Sequence, residues 1–325
     1  MARKLRLEFP GAVYHVINRG NYRSDIFAHE KTKEAFEQCL FEACHKSAWL
    51  LHGFIVMRNH FHLGLSTPEA NLIAGMHWLE TTFATRFNRF RRENGHLFQG
   101  RYKAILVEEG ERLGAACDYI HLNPVRARFL TVPQLMQYRH SSYWYLRNPK
   151  LRPYFLRPQT ALTAVGLQDT RVGWKQYDRH LELQAASKPA GSNASPVNLS
   201  QGWAVGSDDF KADLVAFGAP ADLARSWGKN EAAAIRGISW QSTLDRALKA
   251  LKRDLEQAAT ARKSAPWKLA IAAWMKLHTQ ASNRWLCQKL SLGAPTALSR
   301  SLARYRLRLQ PTDPYWKCLL SRAST

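Results

Sequence analysis

The sequence predicts an α+β fold, in which a ferredoxin-like antiparallel sheet with helices on one face precedes an all-α C-terminal domain with a helix-turn-helix-like segment. Near the N-terminus, apolar residues follow strand and helix periods in the order strand, helix, strand, strand, helix, strand, which is the split βαβ order. A stretch rich in Pro, Gly and Ser follows at 185–200, and helical spacing dominates beyond it. We therefore predict an α+β domain at 1–150, an extension and linker at 151–200, and a basic helical domain at 201–325.

Each element of the N-terminal domain has its own pattern. Strands are indicated where apolar and polar residues alternate, as at Val13, His15 and Ile17, and helices where apolar residues recur every three or four positions. The predicted strands are 12–20, 49–57, 60–65 and 101–108, and the predicted helices are 30–46, 69–94 and 109–123. This order puts two helices on one face of the sheet and leaves the other face open for a ligand.

The charge of the chain indicates a polyanionic partner. The formal net charge is +22, from 47 basic and 25 acidic residues, and the pI is near 10.1. Solubility does not require so large a charge, and nucleic acid is the leading candidate. The apolar run 267–277 is too short to span a bilayer and contains Lys268 and Lys276, which argues against a membrane location.

Cellular location is predicted from the N-terminus and the cysteines. The basic N-terminal segment lacks the apolar region of a signal peptide. The five cysteines include no Cys-x-x-Cys pair, which fits reduced thiols better than a disulfide framework or a zinc site. We expect a cytoplasmic, nucleoid-associated protein.

The strand that begins at His60 carries two metal-capable side chains. Because side chains alternate along a strand, His60 and His62 project from one face, and Phe61 and Leu63 from the other. The two histidines start about 7 Å apart and can converge on one divalent cation. A His-x-His pair is common by chance, so it is weak evidence by itself. Phe61 and Leu63 would pack under the helices, which turns the histidines toward the open face.

A second group of residues could supply a nucleophile. Tyr119 and Asn123 are four positions apart and would lie on one face of a helix. A tyrosine hydroxyl is a weak nucleophile, since its ordinary pKa is about 10, but beside a divalent ion it can attack a phosphate. The amide oxygen of Asn123 could fill a third position on that ion. Taken alone, this pattern also fits a buried amphipathic Tyr119 and a helix-end amide at Asn123.

Several motifs occur together in one order: His60-Phe61-His62, Gly-His-Leu-Phe-Gln-Gly-Arg-Tyr-Lys at 95–103, and Tyr-Ile-His-Leu-Asn-Pro-Val-Arg at 119–126. With the segment 14–21, they resemble the HUH-type single-strand transposases, specifically the REP-associated tyrosine transposases, over about residues 1–147. The resemblance implies a ferredoxin-like nuclease core that uses Mg²⁺ or Mn²⁺ and cuts single-stranded DNA near an imperfect hairpin. It also implies that a tyrosine becomes joined to the 5′ phosphate, which leaves a free 3′ hydroxyl.

The resemblance implies roles for four side chains: the metal ligands His60, His62 and Asn123, and the nucleophile Tyr119. Insertion-sequence relatives have Gln where this chain has Asn123, and the shorter amide is the pattern of the REP-associated branch. Pro124 disfavours helical geometry at Asn123 and ends the helix. His15 and His121 are further metal-capable side chains, for which we expect structural or DNA-contacting roles.

The sequence of the C-terminal domain predicts a second contact with DNA. Helices at 282–290 and 295–307 are separated by Ser-Leu-Gly-Ala, with Ser282 suited to an N-cap and Pro295 to the first turn. From Ser282 onward there are eight Lys or Arg and a single acid, Asp313. This composition favours a helix in the major groove of duplex DNA, although a basic bundle could also be only a solvated cap. The residues predicted to contact DNA are Arg86, Arg89, Arg92, Arg101, Lys103, Arg126, Arg300 and Arg304.

Two hypotheses about function follow. The first is a metal-dependent DNA endonuclease and strand transferase that acts on single-stranded hairpins of a repeated extragenic element, as a monomer or homodimer. The alternative is a non-catalytic, sequence-specific DNA-binding regulator that uses the C-terminal helix-turn-helix. An RNA-binding ferredoxin-like domain would need exposed aromatic residues on the central strands, where His60 and His62 stand instead.

Overall fold

The computed structural model describes residues 6–186, 199, 202–217, 229–279, 281–308 and 312–323, without the side chains of 229–234 and 306–308. The chain forms two compact units, Arg6–Ser207 and a second unit from Asp208 onward. The first unit therefore extends past the predicted boundary at residue 150. The predicted linker at 185–200 lies mostly outside the described residues.

The sheet of the first unit has the predicted split βαβ topology. Its strands are β1 (Ala12–Arg19), β2 (Leu50–Val56), β3 (His60–Thr67), β4 (Lys103–Val107) and β5 (Ala204–Val205). Their order is β2-β3-β1-β4-β5, in which the first four strands pair antiparallel and β5 pairs parallel to β4. The predicted α+β fold class is confirmed, and the short β5 is an addition that the sequence pattern did not indicate.

The first face of the sheet is an apolar layer under α1 (Glu30–Lys46) and α2 (Leu72–Arg91). The Phe36 and Phe61 rings lie 4.6 Å apart, and the Phe36 and Phe83 rings 5.1 Å apart. All three side chains are buried. Phe61 therefore packs under the helices, as its place in the strand alternation predicts. Helix α2 ends before the predicted end at residue 94, because Arg92 already adopts a left-handed φ of 55°.

The second face of the sheet, which was predicted to be open, is covered by α3 (Glu111–His121). Glycines make this possible. A Cβ at Gly64 would lie 3.3 Å from Ile120 Cδ1, and a Cβ at Gly53 would lie 3.5 Å from Cys117 Sγ. The absence of these side chains lets the helix approach the strands closely. The histidine face is therefore a packed interface.

Further short helices complete the first unit: α4 (Asn123–Arg126), α5 (Ser142–Arg147), α6 (Gln159–Thr163) and α7 (Arg171–Ala186). The prediction that Pro124 disfavours helical geometry at Asn123 is wrong. The helix α3 ends at His121, but Asn123 is the first residue of α4, because a proline is tolerated in the first turn of a helix. Ala161 and Leu162 of α6 and Tyr177 and Leu181 of α7 join the buried cluster around α3. The segment expected as an extension is thus part of the core of this unit.

The described part of the second unit is helical, as predicted. Its helices are α8 (Asp208–Phe217), α9 (Lys229–Ala250), α10 (Leu255–Thr260), α11 (Pro266–His278), α12 (Asn283–Leu290), α13 (Pro295–Arg308) and α14 (Pro314–Arg322). Leu244, Leu248, Leu251 and Leu255 follow one another at helical spacing, which by itself predicts a single helix. The structure places Leu244 and Leu248 in α9 and Leu255 in α10, because Lys252 has a φ of 53° and Asp254 caps a new helix. Within the described ranges, no helix is long and apolar enough to cross a membrane.

The predicted helix-turn-helix segment of the second unit is present. Ser282 caps α12 by accepting a hydrogen bond from the backbone N–H of Trp285. Ser291 (φ 50°) and Gly293 (φ 85°) form the turn, and Pro295 is the first residue of α13. The Asn283 amide donates to Ser299 Oγ at 2.7 Å and joins the two helices.

Candidate active site

The strand register places three histidines, His15, His60 and His62, on the second face of the sheet, and we call them the histidine row. In the antiparallel pairing of β1 with β3, His60 stands opposite Arg19, and Gly64 stands opposite His15. His62 lies between these pairs and on the same face, opposite Ile17. Helix α3 then brings Tyr119 over this row.

The structure brings together the four side chains to which the resemblance assigned roles. The ring centroids of His60 and His62 lie 5.1 Å apart, and those of His62 and Tyr119 lie 5.7 Å apart. His60 Nε2 lies 3.4 Å from Asn123 Oδ1. Asn123 is buried and Tyr119 is half-buried. The nucleophile and metal-ligand assignments remain predictions.

Hydrogen bonds determine how His60 presents its nitrogens. The Asn59 amide donates through Nδ2 to the Arg23 carbonyl, which turns its Oδ1 toward His60 Nδ1 at 2.7 Å. Since an amide oxygen only accepts, His60 Nδ1 carries the proton and Nε2 presents a lone pair. That lone pair faces the oxygen of Asn123, whose buried Nδ2 has no hydrogen-bond partner. Two acceptors that face each other fit a cation between them.

The side chains of this site could bind a divalent metal ion only if the Asn123 amide is counted among the ligands. Among the residues that the structure describes, no group of three His, Cys, Asp or Glu side chains is placed to hold a metal. A site here would consist of His60, His62 and the oxygen of Asn123. An amide oxygen with further oxygen ligands from water or phosphate suits Mn²⁺ or Mg²⁺, and the two imidazole nitrogens favour the transition metal Mn²⁺ over Mg²⁺.

Burial keeps these imidazoles neutral. It lowers the pKa of His60 to about 4, an effect that the Asn123 side chain opposes and the positive charge of Arg19 reinforces. Burial also lowers the pKa of His62 well below its usual value, with further contributions from neighbouring positive groups. Neutral imidazoles keep the lone pairs that metal binding requires.

Positive side chains lie close to the tyrosine. The guanidinium carbon of Arg126 lies 4.4 Å from the centre of the Tyr119 ring, and the two side chains are hydrogen-bonded. Burial lowers the pKa of Arg126, and Tyr119 opposes that shift. The Lys103 charge acts on His15, and the Arg19 charge acts on His60. Sequence reasoning named Arg126 and Lys103 but missed Arg19, whose position opposite His60 follows only from the strand register.

The remaining predicted DNA contacts are not part of this cluster. Arg86 lies in the layer of α1 and α2 and forms a bidentate ion pair with Glu42 (2.9 Å and 3.2 Å). Arg89 and Arg92 end the same helix and are exposed, and Arg101 is exposed before β4. Arg300 and Arg304 are exposed on α13 of the second unit.

The position of α3 is fixed by residues that the motifs do not contain. Asp118 accepts hydrogen bonds from Tyr177 and His180 of α7, each at 2.6 Å. His121 bonds Ser142 at 2.8 Å and Tyr177 at 2.9 Å, so it has the structural role that was one of its predicted alternatives. These partners flank Tyr119 in the chain, and they hold its helix against the sheet. The partners are more than 20 residues away in sequence, so no local pattern reveals them.

The first four strands of the sheet, the histidine pair and the helical tyrosine all lie in a segment that matches a known family of DNA-processing proteins. Residues 9–123 match the model of the family described as "Transposase IS200 like". The resemblance read from the motifs is thereby confirmed at the level of this family, for that part of the chain.

The other comparisons add less. The search of curated proteins found no match. One similar solved structure is described as "Structure of the REP associates tyrosine transposase bound to a REP hairpin". It is 16% identical, the match covers 48% of this chain and 90% of that chain, and the TM-score is 0.39. A likeness of this degree carries no argument about this chain.

Proposed function

We propose that the first unit is a metal-dependent single-stranded DNA endonuclease and strand transferase that acts through a 5′-phosphotyrosine intermediate. Hairpins of repetitive extragenic palindromic DNA are the proposed substrate, as the motif resemblance implies. One observation carries the proposal: Tyr119 of α3 lies against His62 of β3, and Asn123 of α4 lies against His60 of the same strand. The IS200-like match over residues 9–123 supports it.

The proposed reaction is an in-line displacement at one phosphodiester. The Tyr119 hydroxyl oxygen attacks phosphorus, the bond from phosphorus to the 3′ oxygen breaks, and the phenolic proton is lost while the 3′ oxygen gains one. The products are a 5′-phosphotyrosine and a free 3′ hydroxyl, so attack by a 3′ hydroxyl can reverse the step. A bound Mg²⁺ or Mn²⁺ would polarise the phosphate.

The side chains of the site have distinct roles in this reaction. His60, His62 and Asn123 would hold the ion. Arg126, which is hydrogen-bonded to Tyr119, stabilises the negative charge that develops on the phenolic oxygen. Arg19 would attract the DNA backbone toward the histidine row. Because α7 anchors α3 through Asp118, the phenol is held in place before the substrate arrives.

A cavity beside the ends of β1 and β3 could hold part of the DNA. It has a volume of about 590 Å³, and its lining contains amides and aromatic rings as well as charged side chains of both signs: Asn21, Tyr22, Phe87, Asn88 and His96, with Asp25, Arg91 and Glu93. Tyr22 is 92% exposed. Unstacked bases bind to rings and amides of this kind, which supports a single-stranded substrate.

The test is to incubate the full-length protein with a labelled hairpin oligonucleotide and Mn²⁺, and then to look for a protein–DNA adduct that survives denaturation. We expect the wild type to form the adduct and EDTA to prevent it. Tyr119→Phe should abolish it, whereas Tyr154→Phe, which removes an exposed hydroxyl, should leave it unchanged. An adduct that persists in Tyr119→Phe would refute the assignment of the nucleophile, and Tyr102 and Tyr143 would then be examined.

A second candidate function, duplex DNA binding by the second unit, is favoured by the surface of α12 and α13. Residues 281–308 include no acid, and Arg284, Arg300 and Arg304 are exposed there. In a helix-turn-helix the second helix enters the major groove, and here that helix is α13.

Duplex binding by this surface would be sensitive to salt and independent of metal. Replacing both Arg300 and Arg304 by Ala should reduce the slope of log affinity against log salt by about 2. Arg322→Ala, an exposed arginine on α14, serves as the control. A purely regulatory role for the whole chain would be contradicted by hairpin cleavage that EDTA abolishes.

A further inference from the structure

The His15 side chain links the histidine row to a backbone group far along the chain. His15 Nε2 lies 3.0 Å from His62 Nδ1, and His15 Nδ1 lies 2.7 Å from the carbonyl oxygen of Leu199. Both imidazoles are buried, and their rings stack with centroids 5.2 Å apart. Leu199 lies well beyond residues 9–123, the segment that matches the family.

We infer that His15 is a positioning residue that, anchored by the Leu199 carbonyl, holds His62 in the tautomer whose Nε2 can bind a metal ion. This inference rests on the proposed function only in taking His62 as a metal ligand. It deepens that function by assigning part of the site to a segment outside the family match.

The Leu199 carbonyl determines which atom donates in each of the two hydrogen bonds of His15. A carbonyl oxygen can only accept, so His15 Nδ1 must donate to Leu199. In a neutral imidazole the other nitrogen then carries a lone pair, so His15 Nε2 accepts and His62 Nδ1 donates. His62 Nε2 is left without a proton. Both ligand imidazoles therefore have the same tautomer, because Asn59 fixes His60 in the same way.

A charged His15 would reverse this result. An imidazolium donates from both nitrogens, so His62 would have to accept at Nδ1 and carry its proton on Nε2, where a metal could not bind. The His15 side chain is 0% exposed, and burying a charged imidazole is costly. The neutral form, and with it the metal-binding tautomer of His62, is the form that the packing favours.

The strand register explains why His15 can reach His62. His15 stands opposite Gly64, so no side chain fills the position directly across from it. The His15 ring can lean over this gap to the diagonal neighbour, which is His62. Gly64 thus serves two purposes, because the same missing side chain admits Ile120 of α3.

Tautomers can be read directly from imidazole ¹⁵N spectra of the full-length, metal-free protein. The His62 signals are assigned by their loss in His62→Gln. We expect the wild-type His62 to carry its proton on Nδ1, and His15→Ala to move that proton to Nε2. In His15→Gln the side-chain amide can still donate to Leu199 and accept from His62, so the wild-type tautomer should persist.

Metal affinity gives a second readout, measured by titration with Mn²⁺ alone. Loss of the partner that orients a ligating histidine typically weakens binding about 10- to 100-fold. We expect this weakening in His15→Ala, but near-normal affinity in His15→Gln and in His45→Ala, which removes an exposed histidine. Amide spectra establish that each variant is folded.

The outcomes separate the inference from the proposed function. A wild-type His62 with its proton on Nε2, or a tautomer unchanged in a folded His15→Ala, would overturn the inference even if the protein cleaves DNA. A wild-type protein with the expected tautomer but no Mn²⁺ binding would instead contradict the metal dependence of the proposed function. Only the tautomer readout decides the role of His15.

Discussion

The two faces of the sheet differ in what holds them together. Under α1 and α2, fully buried phenylalanines such as Phe36 and Phe61 pack ring against ring. Under α3, the same strands present histidines and glycines, and hydrogen bonds replace much of the ring packing. Along β3, therefore, one set of alternating residues packs the core and the other set carries the candidate site. The packed aromatic face gives the histidine face a rigid base.

The largest effect on stability is expected on the aromatic face. Phe61→Ala should lower the free energy of unfolding by about 3–5 kcal/mol, because it removes a buried ring and leaves a cavity between the layers. Urea denaturation measures this change. Phe90→Ala, which truncates a ring that is 67% exposed, should change stability by less than about 0.5 kcal/mol. Similar losses in the two variants would contradict the assignment of cohesion to this face.

The contact between α3 and α6 tests how tightly the other face is braced. A Cβ at Gly114 would lie 2.2 Å from Ala164 Cβ. Gly114→Ala gains up to about 1 kcal/mol of helix propensity, but overpacking typically costs about 1–3 kcal/mol. We expect net destabilisation, together with slower adduct formation at Tyr119, because α3 must shift.

Two matched variants control for this effect. Adding Ala164→Gly to Gly114→Ala should restore much of the stability and rate. Gly100→Ala, where a Cβ would meet nothing within 4 Å, should be close to neutral. If Gly114→Ala alone proves as stable and as fast as the wild type, the close packing of α3 against α6 is not what positions the tyrosine.

A smaller effect is expected from the buried polar pair on the aromatic face. Asn18, opposite Phe61 in the register, donates a 2.7 Å hydrogen bond to Glu80 of α2. Burial raises the pKa of Glu80 from 4.5 to about 7, and Asn18 and Arg6 oppose this shift. Because the folded protein holds this proton more tightly than the unfolded chain, the resulting stability is complete below about pH 4.5. It is lost as the pH rises through about 7.

The loss should be at most about 3 kcal/mol, the free energy that corresponds to this pKa shift, and it appears in unfolding measurements at a series of pH values. Glu80→Gln keeps the shape without the titration, so its stability should vary less between pH 5 and 8. An unchanged pH dependence in Glu80→Gln would show that another group is responsible.

Much of the fold was predictable from the sequence, because strand and helix periods are local. Helix α1 has the predicted bounds, 30–46, and the alternation in β3 correctly separates Phe61 from His60 and His62. The face that α3 covers was not predictable, since a helical period does not specify which surface the helix packs on. Gly53 and Gly64 leave the space in which α3 packs against the strands. From the sequence alone, a glycine in a strand indicates only a residue that weakens the strand.

The candidate site divides in the same way. His60, His62, Tyr119 and Asn123 stand out through short spacings and the resemblance that they carry. The groups that orient them do not, because they are distant in sequence: Leu199 from His15, and Tyr177 from Asp118. The surroundings of Arg86 were equally hidden: a basic helix end suggested DNA, and only the structure shows that this charge is paired with Glu42.

The most direct measurement is to locate the covalent attachment after reaction with a hairpin oligonucleotide and Mn²⁺. Trypsin cleavage after Arg112 and Arg126 gives a peptide of residues 113–126 that contains Tyr119 as its only tyrosine. We predict that mass spectrometry finds the nucleotide remnant on this peptide, with Tyr119 as the modified residue. Cleavage of the hairpin with the remnant on another tyrosine, or with no covalent adduct at all, would contradict the account.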